Sequence, residues 1–494
     1  MKSKKALVIG SGIAGLSAAA YLGKAGYSVT LLEKNSQAGG RARQFTEKGF
    51  VFDMGPSWYW MPDVFDKFFA DFGHKSSDFY ELKRLSPSYR IYDKTGKPVD
   101  IPSDMGELEA LFESYEKGSA LKLRQFLSEA AYKYEVGIND LVYKPGLSIL
   151  EFADLRLLKG LLKMDVLTSI RSHIHSRFKD PFLRELLEFP VLFLGALPEN
   201  TPALYSLMNY ADMSLGTWYP VGGMHKVIEA FVAIAKEQGV RFELNTPVKK
   251  IRVANGKAVG VELENGFVEA DVIVGAADYH HIESQLLDSE HRQYSDKWWE
   301  KRKLAPSCLL YYIGLNTKLK GVLHHTLFFD TDFGLHSKEI YTTPKWPSAP
   351  LFYSSIPSVT DPSVAPEGKE NLFLLIPIAP GLKGDTAEIR EHYLNLMMDR
   401  LEKMLGQNVR NHIEFMRSYS VSEFVSDYHA FRGNAYGLSN TLDQTAILKP
   451  RLRSKKVKGL YYAGQLTVPG PGVPPGIISG KVCVTQIMKD SKTN

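Results

Sequence analysis

The first residues of the chain alternate between short apolar runs and segments of small residues. Ala6–Ile9 is a continuous apolar run of the kind found in buried parallel strands. Ser28–Leu32 repeats the run after a small-residue stretch, Ser17–Gly23. This spacing predicts a strand, a helix and a second strand within about 30 residues, which is the opening unit of a doubly wound sheet.

The same pattern of short apolar runs returns later in the chain. Val240–Leu244, Lys257–Leu263 and Val268–Gly275 predict three further strands. Leu460–Gly464 predicts a last buried strand, and a helix rich in small residues is predicted over Gly476–Met488. These runs indicate a nucleotide-binding domain whose pieces are far apart in the sequence.

The segments between these runs differ in composition. Residues 60–215 are rich in helix formers, and Leu155–Lys163 has amphipathic helical spacing with basic residues on its polar face. Phe182–Leu197 predicts another apolar helix, and strand-like runs occur at Cys308–Gly314 and Asn371–Pro377. We interpret these segments as a substrate domain inserted into the nucleotide-binding one.

The chain is therefore predicted to be an α/β protein, α+β overall, with two kinds of domain. A Rossmann-like domain is predicted from the discontinuous segments 1–90, 215–290 and 420–494. Residues 91–214 are predicted to form a helical region that contacts substrate and membrane. Residues 291–419 are predicted to form a mixed α/β substrate domain with a mixed sheet.

Composition limits the classes of protein that fit. The 494 residues are 44% hydrophobic and 23% charged, which excludes a mostly disordered chain. The two cysteines, Cys308 and Cys483, exclude a disulfide framework and a four-cysteine zinc site. A net charge of +5 does not indicate a nucleic-acid partner. The uncharged run Ala6–Gly23 has too many glycines for a membrane span, so we expect a soluble or monotopic protein.

A glycine-rich motif follows the first predicted strand. Residues 10–15 read G-S-G-I-A-G, which matches the G-x-G-x-x-G fingerprint of dinucleotide-binding domains. Its glycines permit a tight turn, a close approach to pyrophosphate and close helix–strand packing, and the helix start offers amide N–H groups to phosphate. The predicted cofactor contacts here are Gly10, Ser11, Gly12, Ala14 and Gly15.

An acidic residue stands where a ribose would be recognised. Glu33 ends the second predicted strand and lies 18 residues after Gly15. A carboxylate at this place can accept hydrogen bonds from ribose hydroxyls, and it disfavours the 2′-phosphate of NADP. NAD and FAD remain, and Glu33 and Lys34 are predicted cofactor contacts.

Three further glycine-rich segments favour FAD over NAD, because an extended FAD needs more wrapping. Gly39, Gly40 and Arg41 follow the second strand and can close over a pyrophosphate. Gly55-Pro56-Ser57 can bring backbone close to a flat ring. Pro469–Gly476 precedes the last helix, whose amide groups can bind the far part of a flavin.

Together with these motifs, two central signatures resemble the bacterial-type carotenoid desaturases, the family that includes phytoene desaturase. Residues 216–224 read G-T-W-Y-P-V-G-G-M and residues 356–368 read I-P-S-V-T-D-P-S-V-A-P-E-G. Both are similar to signatures of that family. The resemblance extends to residues 459–464 and covers almost the whole chain.

The resemblance implies FAD and a hydrophobic tunnel for a C40 polyene. It implies that the ADP half is held by Gly10, Gly12, Gly15, Glu33, Gly40 and Arg41. Val248 would contact the adenine, and Gly464, Val473 and Pro474 would lie near the flavin. The chain departs from relatives at Gly464-Gln465, where many have Gly-Asp, and at residues 467–470, which read T-V-P-G instead of T-H-P-G.

The function expected from the resemblance is FAD-dependent, phytoene-type desaturation of a carotenoid. A lipid-soluble substrate implies a protein of the cytoplasm that rests on the inner face of the membrane. One alternative is a later 3,4-desaturation of a 1-hydroxylated acyclic or monocyclic carotenoid. Others are a retinol-saturase-like enzyme, an amine or porphyrinogen oxidase, and a flavin-bound polyene carrier or isomerase.

Catalytic and metal-binding residues are harder to predict. No histidine or cysteine cluster has the spacing of a metal site. Asp140, Glu135 and Asp212 are candidates for a general base only because they lie near the predicted insertion. The basic segment 449–458 is predicted to be a solvated loop. His173, His175, His280 and His281 are predicted to be surface or core residues.

Overall fold

In the computed structural model, the described residues are 3–148, 151, 168–192 and 195–493. The predicted helix Leu155–Lys163 therefore lies outside the described residues. The helices are α1 Ile13–Lys24, α2 Pro62–Asp71, α3 Met105–Tyr115, α4 Ser119–Val136, α5 Ile170–His175, α6 Pro181–Leu192, α7 Leu207–Met213, α8 His225–Glu237, α9 Tyr279–Gln285, α10 Asp296–Glu300, α11 Phe333–Tyr341, α12 Ala387–Leu405, α13 Val421–Tyr428 and α14 Val473–Thr493.

Strands form two large sheets and three small ones. The strands are β1 Lys5–Ile9, β2 Ser28–Leu32, β3 Gln44–Glu47, β4 Phe50–Asp53, β5 Leu82–Arg84, β6 Tyr89–Tyr92, β7 Pro98–Ile101, β8 Trp218–Pro220, β9 Arg241–Glu243, β10 Lys250–Ala254, β11 Lys257–Leu263, β12 Gly266–Glu269, β13 Val272–Gly275, β14 Ser307–Leu315, β15 His325–Phe328, β16 Phe352–Ser355, β17 Glu370–Ile378, β18 Ile413–Tyr419 and β19 Leu460–Tyr462. The mixture of a parallel sheet and a mixed sheet confirms the α/β prediction.

The first large sheet is parallel and has the strand order β19-β13-β1-β2-β9. Its strands come from all three segments assigned to the nucleotide-binding domain, although the domain boundaries themselves stay a prediction. Helix α1 packs against α8 and α14. The Ser17 hydroxyl donates to the Ile477 carbonyl at 2.8 Å, so the first and last helices of the chain lie side by side.

The second large sheet is mixed and has the strand order β18-β14-β17-β16-β15-β6-β7. One face packs against α12, where Leu309 and Leu374 join the core with Met397 and Met398. The other face carries a row of residues paired in register across four strands: Leu310, Leu375, Tyr353 and Leu327. This row forms part of the cavity described below.

Several boundaries differ from the sequence predictions. The run Val268–Gly275 was predicted as one strand, but it forms β12 and β13 in different sheets. The chain changes sheet at Asp271, whose N–H donates to the Lys5 carbonyl at 2.9 Å and whose carboxylate accepts from the Lys5 N–H. These bonds bring β13 to the side of β1, where it pairs in parallel.

Helix ends also differ from the predictions. The helix predicted over Phe182–Leu197 is α6, and residues 195–197 are not helical. Helix α14 begins at Val473, earlier than the predicted Gly476, because prolines are tolerated in the first turn, where their missing N–H has no partner anyway. Lys449 corrects the prediction of a solvated loop: it is buried and its ammonium donates to the Asn440 side chain at 2.8 Å.

Candidate active site

One cavity lies between the parallel sheet and the mixed sheet, and its two halves have different chemistry. The half at the parallel sheet is built from glycine backbone and charged side chains. The half at the mixed sheet is built from aromatic and aliphatic side chains. We refer to them as the nucleotide half and the apolar half.

The nucleotide half is formed by residues that the sequence analysis selected. Of the seventeen predicted cofactor contacts, only Ser11 and Gly15 do not line the cavity. Those that do are Gly10, Gly12, Ala14, Glu33, Lys34, Gly39, Gly40, Arg41, Gly55, Pro56, Ser57, Val248, Gly464, Val473 and Pro474. Their contacts with a cofactor stay a prediction, but their convergence on one wall agrees with it.

The turn between β1 and α1 can be made only by glycine at two places. Gly10 has φ +99°, in the left-handed region that other residues rarely adopt. A Cβ on Gly15 would lie 2.0 Å from the Gly10 carbonyl oxygen, so α1 can pack this closely only with glycine there. Gly15 therefore shapes the wall through packing, and its predicted contact with a cofactor stays a prediction.

Ser11 also acts from behind the wall. Its N–H and its hydroxyl both donate to one oxygen of the Glu33 carboxylate, at 2.9 and 2.7 Å. The other Glu33 oxygen accepts from the Asn35 N–H at 2.9 Å. The Thr246 N–H donates to the Glu33 carbonyl, which brings the Thr246–Val248 segment beside the carboxylate. Glu33 is thus fixed at the cavity wall and keeps acceptor capacity for ribose hydroxyls.

Arg41 is a buried cation without an acidic partner. Its Nη2 donates to the Asn434 carbonyl at 3.1 Å, and its guanidinium lies 5.1 Å from the centre of the Tyr428 ring. Within the described part of the chain, its Nε has no hydrogen-bond partner. Burial lowers the pKa of Arg41, because charge is costly to desolvate, and the nearby Asp278 carboxylate offsets only part of this effect.

Arg43, two residues on, has a different role. Its Nη2 donates to the Asp427 carboxylate at 2.7 Å and to the Tyr428 hydroxyl at 3.2 Å. Its charge is therefore already neutralised by the protein. Arg41 alone of this pair remains available to an anion.

An FAD molecule fits this set of groups. Helices α1 and α14 both begin at the cavity and carry no acidic residue in the first turn, so their positive dipole ends are uncompensated. The unpaired charge of Arg41 suits a pyrophosphate. Gln465 lines the same wall. With its amide turned so that the oxygen faces Arg41, it accepts from Nη2 at 3.1 Å and from the Gly437 N–H at 3.3 Å.

The apolar half is assembled from many separate segments. Its lining side chains come from helices, from loops and from the row across the mixed sheet. They are Trp58, Trp60, Met61, Phe189, Met208, Pro306, Cys308, Leu310, Leu327, Phe329, Ile340, Leu351, Phe352, Leu375 and Pro377. A long hydrocarbon is the type of ligand that such a wall suits.

The His325 imidazole and the Cys308 thiol, two polar groups at the apolar half, are uncharged. The Tyr353 hydroxyl bonds the Ser57 hydroxyl at 2.9 Å and His325 Nδ1 at 2.6 Å, and the His325 ring stacks on Trp58. Burial lowers the pKa of His325 well below its usual value, so its imidazole is neutral. Burial also raises the pKa of the Cys308 thiol to about 12, which makes it a poor nucleophile.

The two family-like signatures meet each other behind the cavity. The Asp361 carboxylate accepts from the Gly222 N–H at 2.6 Å and from the Tyr219 hydroxyl at 3.2 Å. Asp53 accepts from the N–H groups of Met224 and His225 at the start of α8. These signatures therefore hold the wall together and do not line it, whereas Gly55-Pro56-Ser57, just after Asp53, lines it.

Of the three predicted base candidates, Glu135 and Asp212 are not among the residues that line the cavity. Glu135 is exposed, and the side chain of Asp140 lies outside the described residues. Asp212 is buried, but it is not among the residues that line the cavity. Whether Asp212 acts as a base stays a prediction; its hydrogen bonds are described below.

The sequence analysis missed several residues of the wall. His281, Tyr428, His429 and Tyr436 line the cavity, and no motif marks them. Of the aromatic triplet 58–60, Trp58 and Trp60 line the cavity while Tyr59 stacks on Phe65 in the core. His281 was predicted to be a surface or core residue, but it stacks on His429 at the edge of the nucleotide half. Such residues are brought together only by folding.

Comparisons with known proteins agree with this site. The family model described as flavin containing amine oxidoreductase matches residues 13–488. A protein from Haloarcula japonica named carotenoid 3,4-desaturase is 40% identical over 484 residues, covering 98% of each chain. A zeta-carotene-forming phytoene desaturase from Myxococcus xanthus is 29% identical, covering 99% of this chain and 94% of its own.

Solved structures share the fold at low sequence identity. Wild-type putrescine oxidase bound to putrescine aligns with a TM-score of 0.63 at 14% identity, covering 99% of each chain. An oxidoreductase from Methanosarcina mazei aligns with a TM-score of 0.61 at 18% identity, covering 98% of this chain and all of its own. These likenesses bear on the fold alone.

Proposed function

We propose, on the premise that this chain belongs to the flavin-containing amine oxidoreductase family and to the carotenoid desaturases within it, that it catalyses the 3,4-desaturation of a carotenoid. The observation that carries this proposal is the single cavity in which a nucleotide half opens into an apolar half. The similarity to the Haloarcula japonica protein supports the 3,4 position over the phytoene-type reaction favoured by the sequence motifs.

The enzyme is an FAD-dependent oxidoreductase, and the nucleotide half would hold the cofactor. Gly12 and the start of α1 would bind the pyrophosphate with Arg41, and Glu33 would bind the adenosine ribose. Gly464 and the Val473-Pro474 turn would lie near the flavin. When bound, FAD supplies an acceptor for a hydrogen and its electron pair.

The apolar half would position the polyene and exclude water. Its aliphatic row on the mixed sheet and its tryptophans offer a wide apolar surface along which a C40 chain gains burial free energy. The side chains of Tyr353, His325 and Cys308 are neutral, so they do not attract water or ions to the reacting carbons. Positioning is thus the main contribution of this half.

Phytoene-type desaturation is the second candidate function. Its support is the similarity over almost the whole chain to the Myxococcus xanthus phytoene desaturase. Both reactions use the same cofactor and the same kind of apolar wall. They differ in the end of the carotenoid that must lie beside the flavin.

Expression in two pigment-producing hosts tests both candidates. One host accumulates phytoene, and the other accumulates a 1-hydroxylated carotenoid that lacks the 3,4 double bond. We expect loss of two hydrogens and red-shifted absorption in the second host, measured by mass and by pigment spectra. A variant with Arg41→Gln serves as the control, because it keeps the apolar half intact.

Other outcomes select other functions. Conversion only in the phytoene host would favour the second candidate over the first. No conversion in either host, with FAD bound to the purified protein, would contradict both. Gain of two hydrogens would indicate a saturase, a change of isomer at constant mass would indicate an isomerase, and turnover of amines or porphyrinogens would indicate an oxidase.

We also propose that the enzyme works at the inner face of the cytoplasmic membrane, where its lipid-soluble substrate is found. None of the described helices is long and apolar enough to cross a bilayer. Leu121 and Tyr132 are exposed apolar side chains eleven residues apart on α4, on one face of that helix. Flotation with anionic liposomes tests the proposal: protein that stays in the soluble fraction contradicts it.

A further inference from the structure

We propose that Asp212, placed behind the aromatic wall of the apolar half, orients that wall and supplies a negative charge that stabilises the positive charge formed on the polyene. This inference rests on the proposed function, since it concerns the same reaction. Asp212 is a positioning residue in this proposal, because it acts through its neighbours and does not touch the substrate.

The carboxylate of Asp212 is enclosed and hydrogen-bonded on both oxygens. It lies on α7 and is 1% exposed. Oδ2 accepts from the Tyr89 hydroxyl at 2.7 Å, and Oδ1 accepts from the Thr217 hydroxyl at 3.3 Å. Tyr89 and Thr217 are themselves fully buried, so water does not reach this group from their side.

In these hydrogen bonds, Asp212 is the acceptor and the two hydroxyls are the donors. The indole Nε1 of Trp60 can only donate, and it donates to the Thr217 hydroxyl at 2.9 Å. Thr217 therefore has its own proton available for Asp212. The Tyr89 hydroxyl also donates a hydrogen bond to Asp212. Together, the Tyr89 and Thr217 hydroxyls therefore favour the ionised form of the Asp212 carboxylate.

This network touches the aromatic wall at two places. Trp60 lines the cavity and is anchored through Thr217. Trp58 also lines the cavity, and the Tyr89 ring packs edge-on against it with centroids 5.3 Å apart. The two tryptophans lie 5.2 Å from each other. A single buried carboxylate thus supports both large aromatic groups of the wall.

The charge of Asp212 is not cancelled nearby. Of the described residues, none with a positive charge forms an ion pair with it. Helix α4 packs against α7, but Lys133 on that helix donates to the Ala203 carbonyl and Tyr134 donates to Asp63. Glu188, on the adjacent α6, is paired with Arg171 and His175. Burial raises the pKa of Asp212 to about 7.

The chemistry of desaturation gives such a charge a use. The substrate loses one hydrogen with its bonding electron pair to the oxidised cofactor, and the neighbouring carbon then loses a proton, which is released to bulk solvent. The electrons of the second C–H bond form the double bond. Positive charge builds up on the polyene after the first loss. A carboxylate behind an apolar wall and the faces of two tryptophans both stabilise that charge.

The test is a pH series on Asp212→Asn, which keeps the size of the side chain and can still accept from Tyr89. We would measure anaerobic reduction of the bound flavin by carotenoid in a single turnover from pH 5.5 to 8.5. We expect the wild-type rate to rise about 10-fold through pH 7 as Asp212 ionises. The variant should stay at the low-pH rate throughout, so the two differ about 10-fold at pH 8.5 and little at pH 5.5.

Two further variants separate orientation from charge. Thr217→Val removes the anchor of Trp60 and the more distant of the two donors to Asp212, so the rate should fall at every pH, and the midpoint should move up by less than it does in Tyr89→Phe. Tyr89→Phe removes a donor that favours the ionised form, so the midpoint should move up by about one pH unit. Near-ultraviolet circular dichroism checks that the aromatic packing of each variant is intact.

Infrared difference spectra give a readout that does not depend on turnover. A protonated-carboxyl band that disappears as the pH rises through 7 should be present in the wild type, and in Asp212→Asn it should be weaker by the contribution of Asp212, because the buried Glu370 also releases a proton near pH 7. An Asp212→Asn enzyme with the wild-type pH profile, or slowed equally at every pH, would overturn the inference. A wild-type flavin that carotenoid never reduces would overturn the proposed function and, with it, the role of Asp212, whatever the infrared titration shows.

Discussion

The two halves of the cavity are built on opposite principles. In the nucleotide half, the predicted contacts come from backbone amides, glycine turns and three charged side chains, most of them within residues 10–57. In the apolar half, the contacts come from side chains on segments spread from Trp58 to Tyr436. The residues of the nucleotide half are mostly close together in the sequence. Those of the apolar half come together only when the mixed sheet and the helices pack.

This difference shows why cofactor binding and substrate choice can change independently. A glycine turn is fixed by backbone geometry, so substitutions there are tolerated poorly. A row such as Leu310, Leu375 and Tyr353 can exchange side chains of different size while the strands keep their register. We expect substitutions to separate the two halves in their effects on FAD content and on carotenoid turnover.

The largest effect is expected from the turn of the nucleotide half. Gly15→Ala puts a methyl group 2.0 Å from the Gly10 carbonyl, so the turn must move. We expect the purified protein to contain no FAD and the apoprotein to lose about 3 kcal/mol of unfolding free energy. Flavin absorbance and denaturant titration measure the two effects.

Gly12→Ala is the matched variant in the same turn. A Cβ at Gly12 meets no protein atom within 4 Å, but it would occupy space at the cavity wall. FAD should therefore be lost while the stability of the apoprotein stays within about 0.5 kcal/mol of the wild type. Equal destabilisation by both variants would contradict the assignment of Gly12 to the cofactor and Gly15 to packing.

The next effect concerns charge in the nucleotide half. Arg41→Gln removes a buried cation without an acidic partner, and we expect the Kd of FAD to rise about 10- to 100-fold. Equilibrium titration of the apoprotein with FAD measures it. In Arg43→Gln the lost charge is one already paired with Asp427, so the Kd should change by less than about 3-fold. A larger change for Arg43 than for Arg41 would reverse the assignment.

A substitution in the apolar half should give the opposite result. Leu375→Trp fills the middle of the row on the mixed sheet, so the polyene would be displaced from its position. We expect carotenoid turnover to fall about 10-fold or more with FAD content unchanged. Val359→Trp, on the exposed surface, is the control. Loss of FAD in Leu375→Trp would show that the halves are not separable.

The same division explains how far the sequence alone could go. The G-x-G-x-x-G turn, Glu33 and Arg41 were predictable because a few neighbouring residues define the whole contact, and all but Ser11 and Gly15 of the predicted set line the cavity. Ser11 does not line the cavity, because its side chain turns to Glu33. Its hydrogen-bonding partner is set by the fold and not by the motif.

For the apolar half, only the hydrophobic character of the wall could be predicted from the sequence, and not the residues that form it. No spacing in the sequence brings Leu310 beside Leu375 or Tyr353 beside Leu327, because strand pairing joins residues that are far apart. Asp212 illustrates the same limit. Its position near the insertion suggested a base, but its bonds to Tyr89 and Thr217 place it behind the wall. The pairing of strands β13 and β1 similarly divided a run that reads as one strand.

The smallest effect concerns a group that stabilises neither half of the cavity. Glu370 begins β17 of the mixed sheet and is 3% exposed, and in the described part of the chain its Oε2 has no hydrogen-bond partner. Burial raises its pKa to about 7, so the folded protein binds a proton that the unfolded chain releases above its ordinary pKa. Stability is therefore lost as the pH rises from about 4.5 through 7.

Glu370→Gln mimics the protonated form. It should leave the unfolding free energy unchanged at pH 4 and raise it by about 1 kcal/mol at pH 8.5, with FAD content unaffected. Denaturant titrations at the two pH values measure this, with the exposed Glu367→Gln as control; an equal effect at both would contradict it.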